Sequence, residues 1–315
     1  MKYVKVGGAW KAVSEEHVKV GGVWKPVSTN YPKVGGAWKP IPFEKYIFVC
    51  EDFSDRLYAL NDTPVDQAGW PLYGTATDPQ AVVCDRQSTS YWACSNGLYK
   101  ILKTGVTEWT HTMTPAYRVN VVAVDADFNV YAGDGAGIVQ MLNSAKASQW
   151  TYDASPNIPY CLAVDHAGGN VYTGIGTTNK RIMRTNVAAG TTSIYLTTTT
   201  YGAPTAIDVV PGTPDIIYGT ADGYLLRYNA SSGYVWGTGV VFGTGAAITD
   251  LHVGHDGAVY VTNAGGRVYK VAYDTGSITW QYAGTGCAAG LAVDIAGNVY
   301  ASWYVLGSAT THNCV

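Results

Sequence analysis

"VVAVDADFNVYAGDGAGIVQMLN" occupies residues 121–143. An apolar run ends in an Asp-containing turn. A second run opens on Val-Tyr, a Gly-Asp-Gly turn follows, and a third apolar run closes the stretch. Short apolar runs rich in β-branched and aromatic residues, separated by turn residues, read as antiparallel strands. The same order recurs along the chain. "NVYAG" (129–133) returns as "NVYTG" (170–174), "IIYGT" (216–220), "AVYVT" (258–262) and "NVYAS" (298–302), with "SYWAC" (90–94) and "YIFVC" (46–50) as looser copies. The tyrosines at 91, 131, 172, 218, 260 and 300 stand 40, 41, 46, 42 and 40 residues apart. That period is the length of one propeller blade.

The flanking strands repeat in step. "CLAVDHAGGN", "AIDVVPGTPD", "DLHVGHDG" and "GLAVDIAGN" precede their tyrosines as "VVAVDADFN" does. "RIMRTN", "YLLRYN" and "RVYKVAYD" follow as "GIVQMLN" does. A fourth strand carries Trp70, Trp109, Trp150, Trp236 or Trp280, with Tyr195 in the copy that lacks one. Four short strands per repeat and no helical periodicity predict an all-β propeller. A single blade cannot bury both faces, so each needs its neighbours. The tryptophans are expected to fill the space between adjacent blades. Counting Tyr-type strands predicts seven blades, with six as the alternative, over residues 43–315. The pattern "vYaG…G.v..l....G...W.y" resembles the quinoprotein-type (PQQ-like) propeller repeat over residues of about 45–305. That resemblance implies the fold and no quinone, because one fold hosts many functions.

Composition narrows the function. Charged residues make up 14% of the chain, and the net charge is −3. Residues 1–41 hold seven lysines and two glutamates, net +5, which leaves −3 − 5 = −8 for the rest. No whole-chain field favours nucleic acid, and no apolar run approaches a membrane span. No signal peptide is legible at the start. The six cysteines lack CxxC spacing and read as small apolar residues.

Catalytic and metal patterns are missing at the level of motif. "DADFNVY" begins like a calcium loop, but Val130 stands where the loop needs Gly and Ala136 where it needs the bidentate Glu. Asp125, Asp165 and Asp294 recur in equivalent turns, where a carboxylate accepts backbone N–H groups. His252 and His255 are three apart, so on a strand they point to opposite faces. "GDGAGI" has no helix after it to complete a phosphate cradle. Lys100, Arg118, Lys180, Arg181, Arg184, Arg227, Arg267 and Lys270 fall mostly on third strands, away from a central pore. No catalytic residue, cofactor or metal is therefore expected, and the chain does not read as an enzyme.

The head of the chain is different. "VKVGGAWKAV" (4–13), "VKVGGVWKPV" (18–27) and "PKVGGAWKPI" (32–41) repeat with a period of 14. Alternating residues around Gly7-Gly8, Gly21-Gly22 and Gly35-Gly36 predict three two-residue β-hairpins over residues 1–42. Lys5 and Trp10, Lys19 and Trp24, and Lys33 and Trp38 flank the glycines. Isolated hairpins are marginal in water, so an assembly or docking role is expected for these residues. The tandem repeats resemble short segments of tail and other structural proteins of tailed bacteriophages. That resemblance implies a minor tail or virion protein, made in the host cytoplasm. Its partners would be other tail proteins, a second copy of itself, and a glycan or protein of the host surface. Two further readings stand beside it: a lectin-like propeller, and a glycan hydrolase or lyase with one asymmetric carboxylate pocket.

Overall fold

The structure is a computed structural model. It describes the strands of residues 2–38 and 47–51, residues 56–60 and 68–304 apart from short gaps (75–76, 86, 114–116, 166–168, 211, 237–238, 243–244, 285 and 295–296), and residues 313–314. The chain divides into two compact units, Met1–Lys45 and Tyr46–Val315.

The first unit holds three two-stranded sheets. Lys2–Val6 pairs with Ala9–Val13, His17–Val20 with Val23–Pro26, and Lys33–Val34 with Ala37–Trp38, all antiparallel. The register is the same each time: Lys5 faces Trp10, Lys19 faces Trp24, and Lys33 faces Trp38. The three Gly-Gly pairs lie outside the described residues.

The second unit is a β-propeller with five full blades. Their first strands are Pro79–Cys84, Val119–Val124, Pro159–Asp165, Pro204–Val209 and Ile248–Val253. Four blades have four strands in chain order. In blade four the outer strand is broken into Gly233–Tyr234 and Val240–Val241, both paired with Tyr224–Asn229. A three-stranded leading sheet (Ile47–Glu51, Arg56–Leu60, Leu72–Tyr73) precedes blade one. A three-stranded trailing sheet (Cys287–Val293, Val299–Tyr304, Asn313–Cys314) follows blade five. The expected seven or six blades are thus corrected to five. Counting Tyr-type strands treats every such strand as a whole blade, yet among the described residues each terminal sheet has only three strands.

Burial runs across each blade as the sequence pattern dictates. The Tyr strand is buried throughout in blades one, two, four and five, and nearly so in blade three. The fourth strand is largely exposed, completely so at Ile278–Ala283. Successive first strands lie beside one another from blade one to the trailing sheet, so they form the inner wall. The core lies between blades. One cluster joins Tyr91 and Leu98 of blade one to Val119, Val130 and Leu142 of blade two. Another joins Ile217 and Leu225 of blade four to Leu251, Val259 and Val261 of blade five. Burying each such aliphatic side chain contributes roughly 1.5–3 kcal/mol.

The Asp turns follow from local chemistry. Asp125 Oδ1 accepts the N–H of Asp127 (2.8 Å) and of Asn129 (2.9 Å), and its Oδ2 accepts the Tyr131 hydroxyl at 2.8 Å. Phe128 takes the left-handed conformation that closes this turn (φ 63°). Asp85 repeats the arrangement with Gln87, Thr89 and Tyr91. The calcium-like letters of "DADFN" are therefore spent on capping a turn and on the buried tyrosine of the next strand. Burial, and then the adjacent carboxylate, push the Tyr131 hydroxyl well above its ordinary pKa.

Candidate functional site

One geometric device recurs along the inner wall. In every first strand the register with the Tyr strand skips one residue. The skipped residues are Gln80, Asn120 and Tyr160 in blades one to three, Thr205 and Thr249 in blades four and five, and Ala289 in the trailing sheet. A bulge releases one residue from the ladder and re-aims its side chain. In blades one, three and four the residue before it is proline, which cannot donate to the ladder.

In the first three blades the released side chains converge. Gln80, Asn120 and Tyr160 line one cleft of about 440 Å³ together with Arg118, Gly135 and Pro159. Arg118 Nε donates to Asn120 Oδ1 at 3.0 Å, and its Nη1 lies 3.6 Å from Asp78 Oδ2. Gln80 Nε2 donates to Asp78 Oδ1 at 2.6 Å. Asp78 sits in the left-handed region (φ 49°), which Asp tolerates better than most side-chain-bearing residues. Tyr160 is 42% exposed. The loop before it is braced by buried Asn157, whose Oδ1 accepts the N–H groups of Thr178 (2.9 Å) and Asn179 (2.7 Å). Gly137 (φ 98°) approaches this loop so closely that a Cβ would lie 2.6 Å from the Asn157 carbonyl.

In the other blades the same positions are turned inward on the protein. Thr205 Oγ1 donates to the Ile248 carbonyl of blade five at 2.6 Å, and Thr249 Oγ1 donates to Thr262 at 3.0 Å. Carboxylates then tie first strand to first strand. Asp208 of blade four accepts the Val253 N–H of blade five at 2.8 Å, and Asp250 of blade five accepts the Leu291 N–H of the trailing sheet at 2.9 Å. His252 Nδ1 lies 3.5 Å from Asp208 Oδ2. Burial raises the Asp250 carboxyl; its two N–H donors oppose this and the Asp208 charge adds to it, and the result is a pKa of about 7. Sequence spacing could not find this cluster, because its members meet across blades 42 residues apart.

A second cleft, of about 420 Å³, lies on blade five beside Asp256, Lys270 and Tyr273. Two of its charged groups are already engaged with each other. Lys270 Nζ is 2.8 Å from Asp256 Oδ2, which also accepts the Tyr260 hydroxyl at 2.8 Å. Burial raises the Asp256 carboxyl, but these bonds outweigh it and hold the pKa down to about 2.

Of the five tryptophans expected on fourth strands, Trp109, Trp150 and Trp280 lie on one, whereas Trp70 precedes the last strand of the three-stranded leading sheet and Trp236 falls in the turn that breaks the outer strand of blade four. The indoles of Trp70, Trp150 and Trp236 donate to carbonyls of the following blade, at Lys103 (3.0 Å), Val187 (2.9 Å) and Tyr273 (2.9 Å). Trp109 packs in the cluster between blades one and two, but its buried Nε1 has no partner. Trp280 is 39% exposed. In blade three Ser193 pairs where Trp stands elsewhere, opposite Arg184 and hence in line with Tyr172. Tyr195 is the bulged residue two positions on, and its ring meets Tyr172 at 5.0 Å. Of the cations, Lys100, Arg181, Arg184, Arg227, Arg267 and Lys270 lie on third strands; among the described residues Arg118 is the cation that lines the cleft at the mouth. Among the described residues no group of three metal-ligating side chains occurs, and no helix is long and apolar enough to cross a membrane.

Those features define a β-propeller whose inner mouth is open on one side and fastened on the other. No protein-family model matches the chain, and no curated protein matches it. Among solved structures 1554 chains match, so the fold alone does not select a function. One is a chain of the "Crystal Structure of Mitotic Checkpoint Complex", with a TM-score of 0.69 at 14% identity over 83% of each chain. Such a likeness shows the propeller fold.

Proposed function

We propose that this chain is a non-catalytic structural protein of a bacteriophage particle, a minor tail component with host-attachment capacity. The hairpin unit carries assembly with other tail proteins or further copies, and the propeller faces the host surface. The observation that carries this reading is the pairing of two unlike units. One is a tandem array of three hairpins in identical register. The other is a propeller with an open polar cleft at its mouth. The VKVGGxWK repeats supply the link to tail proteins, and the Tyr-strand repeat supplies the quinoprotein-type subclass of the propeller. Both rest on sequence resemblance. The cleft also favours the lectin-like reading, since attachment to a glycan and membership of a virion are compatible.

Light scattering on the full chain tests the assembly half. The full chain is expected to be oligomeric, and a Trp10→Ala, Trp24→Ala, Trp38→Ala variant monomeric with the same far-UV dichroism from the propeller. A monomeric full chain that also fails to capture tail proteins of the phage removes the assembly role.

A further inference from the structure

We infer that the cleft formed by the bulged residues of blades one to three binds a neutral sugar ring through vicinal hydroxyls, with Tyr160 as its stacking face. The inference rests on the attachment reading above and names its ligand class.

Three features carry it. The first is asymmetry. The bulge occurs in six successive first strands, yet only in blades one to three does it present long polar or aromatic side chains to a common space. Thr205 and Thr249 are consumed by bonds within the protein.

The second is the donor and acceptor set. Asn120, Gln80 and Arg118 supply planar amide and guanidinium groups, and Asp78 supplies a carboxylate beside them. A vicinal diol both donates and accepts, so it matches a carboxylate next to a guanidinium or amide. The Tyr160 ring offers the apolar face on which the C–H side of a sugar packs.

The third is charge. Among the described residues Arg118 is the only cation lining the cleft, and Asp78 lies against it at 3.6 Å. The pair is close to neutral. Asp78 offsets the Arg118 charge that would otherwise favour an anion, and a cationic ligand would meet Arg118. The volume of about 440 Å³ falls in the range of small-molecule sites.

Gly135 provides a clean test. Its φ lies outside the left-handed region, and an added Cβ would find its nearest neighbours at 3.7 Å (Arg118 carbonyl) and 3.9 Å (Asn120 Nδ2). Gly135→Leu therefore fits the backbone and fills the cleft. The full chain would be titrated with methyl glycosides of glucose, galactose, mannose and rhamnose, and separately with glucuronate, N-acetylneuraminate and inorganic phosphate. Binding is read by saturation-transfer NMR and calorimetry. At least one neutral glycoside is expected to bind at millimolar concentration. Gly135→Leu and Tyr160→Ala are each expected to weaken it by about tenfold or more, equivalent to about 1.4 kcal/mol. Tyr282→Ala, a surface aromatic on blade five, is expected to leave it unchanged. Unchanged melting of Gly135→Leu establishes that the fold is intact; if that variant does not fold, Tyr160→Ala and Asn120→Ala decide instead.

Binding of the anions alone, undiminished binding in the cleft variants, or no binding by any probe overturns the inference. Assembly through the hairpins is read by light scattering on the same samples, so a failure of the sugar site and a failure of the tail reading are separately visible.

Discussion

The inner strands of blades one to three and those of blades four and five are built from the same part and use it oppositely. Each has one residue released from the ladder near its start. In the first group that residue is Gln80, Asn120 or Tyr160 and opens onto a cleft. In the second it is threonine bonded back into the protein, and Asp208 and Asp250 reach from one first strand to the next. A bulge is thus neutral between presenting a group to a ligand and fastening two blades. The side chain placed on it decides.

The largest expected contrast lies in stability. Between blades four and five, buried Asp215 accepts from Arg227 Nε (2.7 Å) and from the Tyr273 hydroxyl (2.7 Å), while Arg227 Nη1 donates to the Tyr273 carbonyl at 3.0 Å. Asp215→Ala strands a largely buried guanidinium and should cost about 3–5 kcal/mol in urea denaturation. Asp78→Asn in the open half keeps a residue type that tolerates φ 49° while removing an exposed ion pair, and should change stability by no more than about 0.5 kcal/mol. Equal losses would erase the distinction between the two halves.

Next comes pH. The Asp250 carboxyl has a folded pKa of about 7, above the unfolded value of about 3.9. The native state binds the extra proton between these values, so stability falls as pH rises from about 4 through about 7. Asp250→Asn should flatten that slope in melts recorded from pH 4 to 8. A slope that survives assigns the dependence to other groups and weakens the fastening role of Asp250.

Smaller effects sharpen the picture. Thr205→Val should cost about 1 kcal/mol through the lost bond to Ile248, whereas Asn120→Ala should leave the melting temperature nearly unchanged. Two tryptophan variants are expected to differ from each other by the state of the indole N–H. Trp150→Phe loses the bond to the Val187 carbonyl and should destabilise by about 1 kcal/mol. Trp109→Phe also loses ring packing, but it removes a buried N–H that has no partner and should therefore destabilise less than Trp150→Phe does.

Much of the fold was legible because its signals are local. The Tyr strands, the Asp turns and the third strands each show in a window of ten residues, and the 40-residue period links them. Blade completeness was less legible. A Tyr-type strand looks the same in a full blade and in a three-stranded sheet, so "YIFVC" and "NVYAS" inflated the count. The mouth was hidden for a different reason. A bulge is a property of two strands together, and nothing in "PQAVV" or "PYCLA" announces that Gln80 or Tyr160 is skipped. The meeting of Asp208, His252 and Asp250 is likewise a matter of blade-to-blade contact. "HVGH" was read for chelation by its own two histidines, whereas His252 faces a carboxylate on the preceding blade. The ring of Tyr195 was anticipated in blade three, but its place on a bulge two residues beyond the Trp-equivalent position was not.

The released residues have a consequence for how such a protein can change. A ladder residue is bound by its strand partners and by the alternation of the pleat, so replacing it disturbs a blade. Gln80, Asn120 and Tyr160 owe the sheets little. They stand one blade apart at 80, 120 and 160, on three separate supports, and each can be exchanged without re-registering its neighbours. Three independent substitutions could thus rewrite what the mouth recognises while the propeller remains the same object, a useful property for any surface that must keep pace with a changing target.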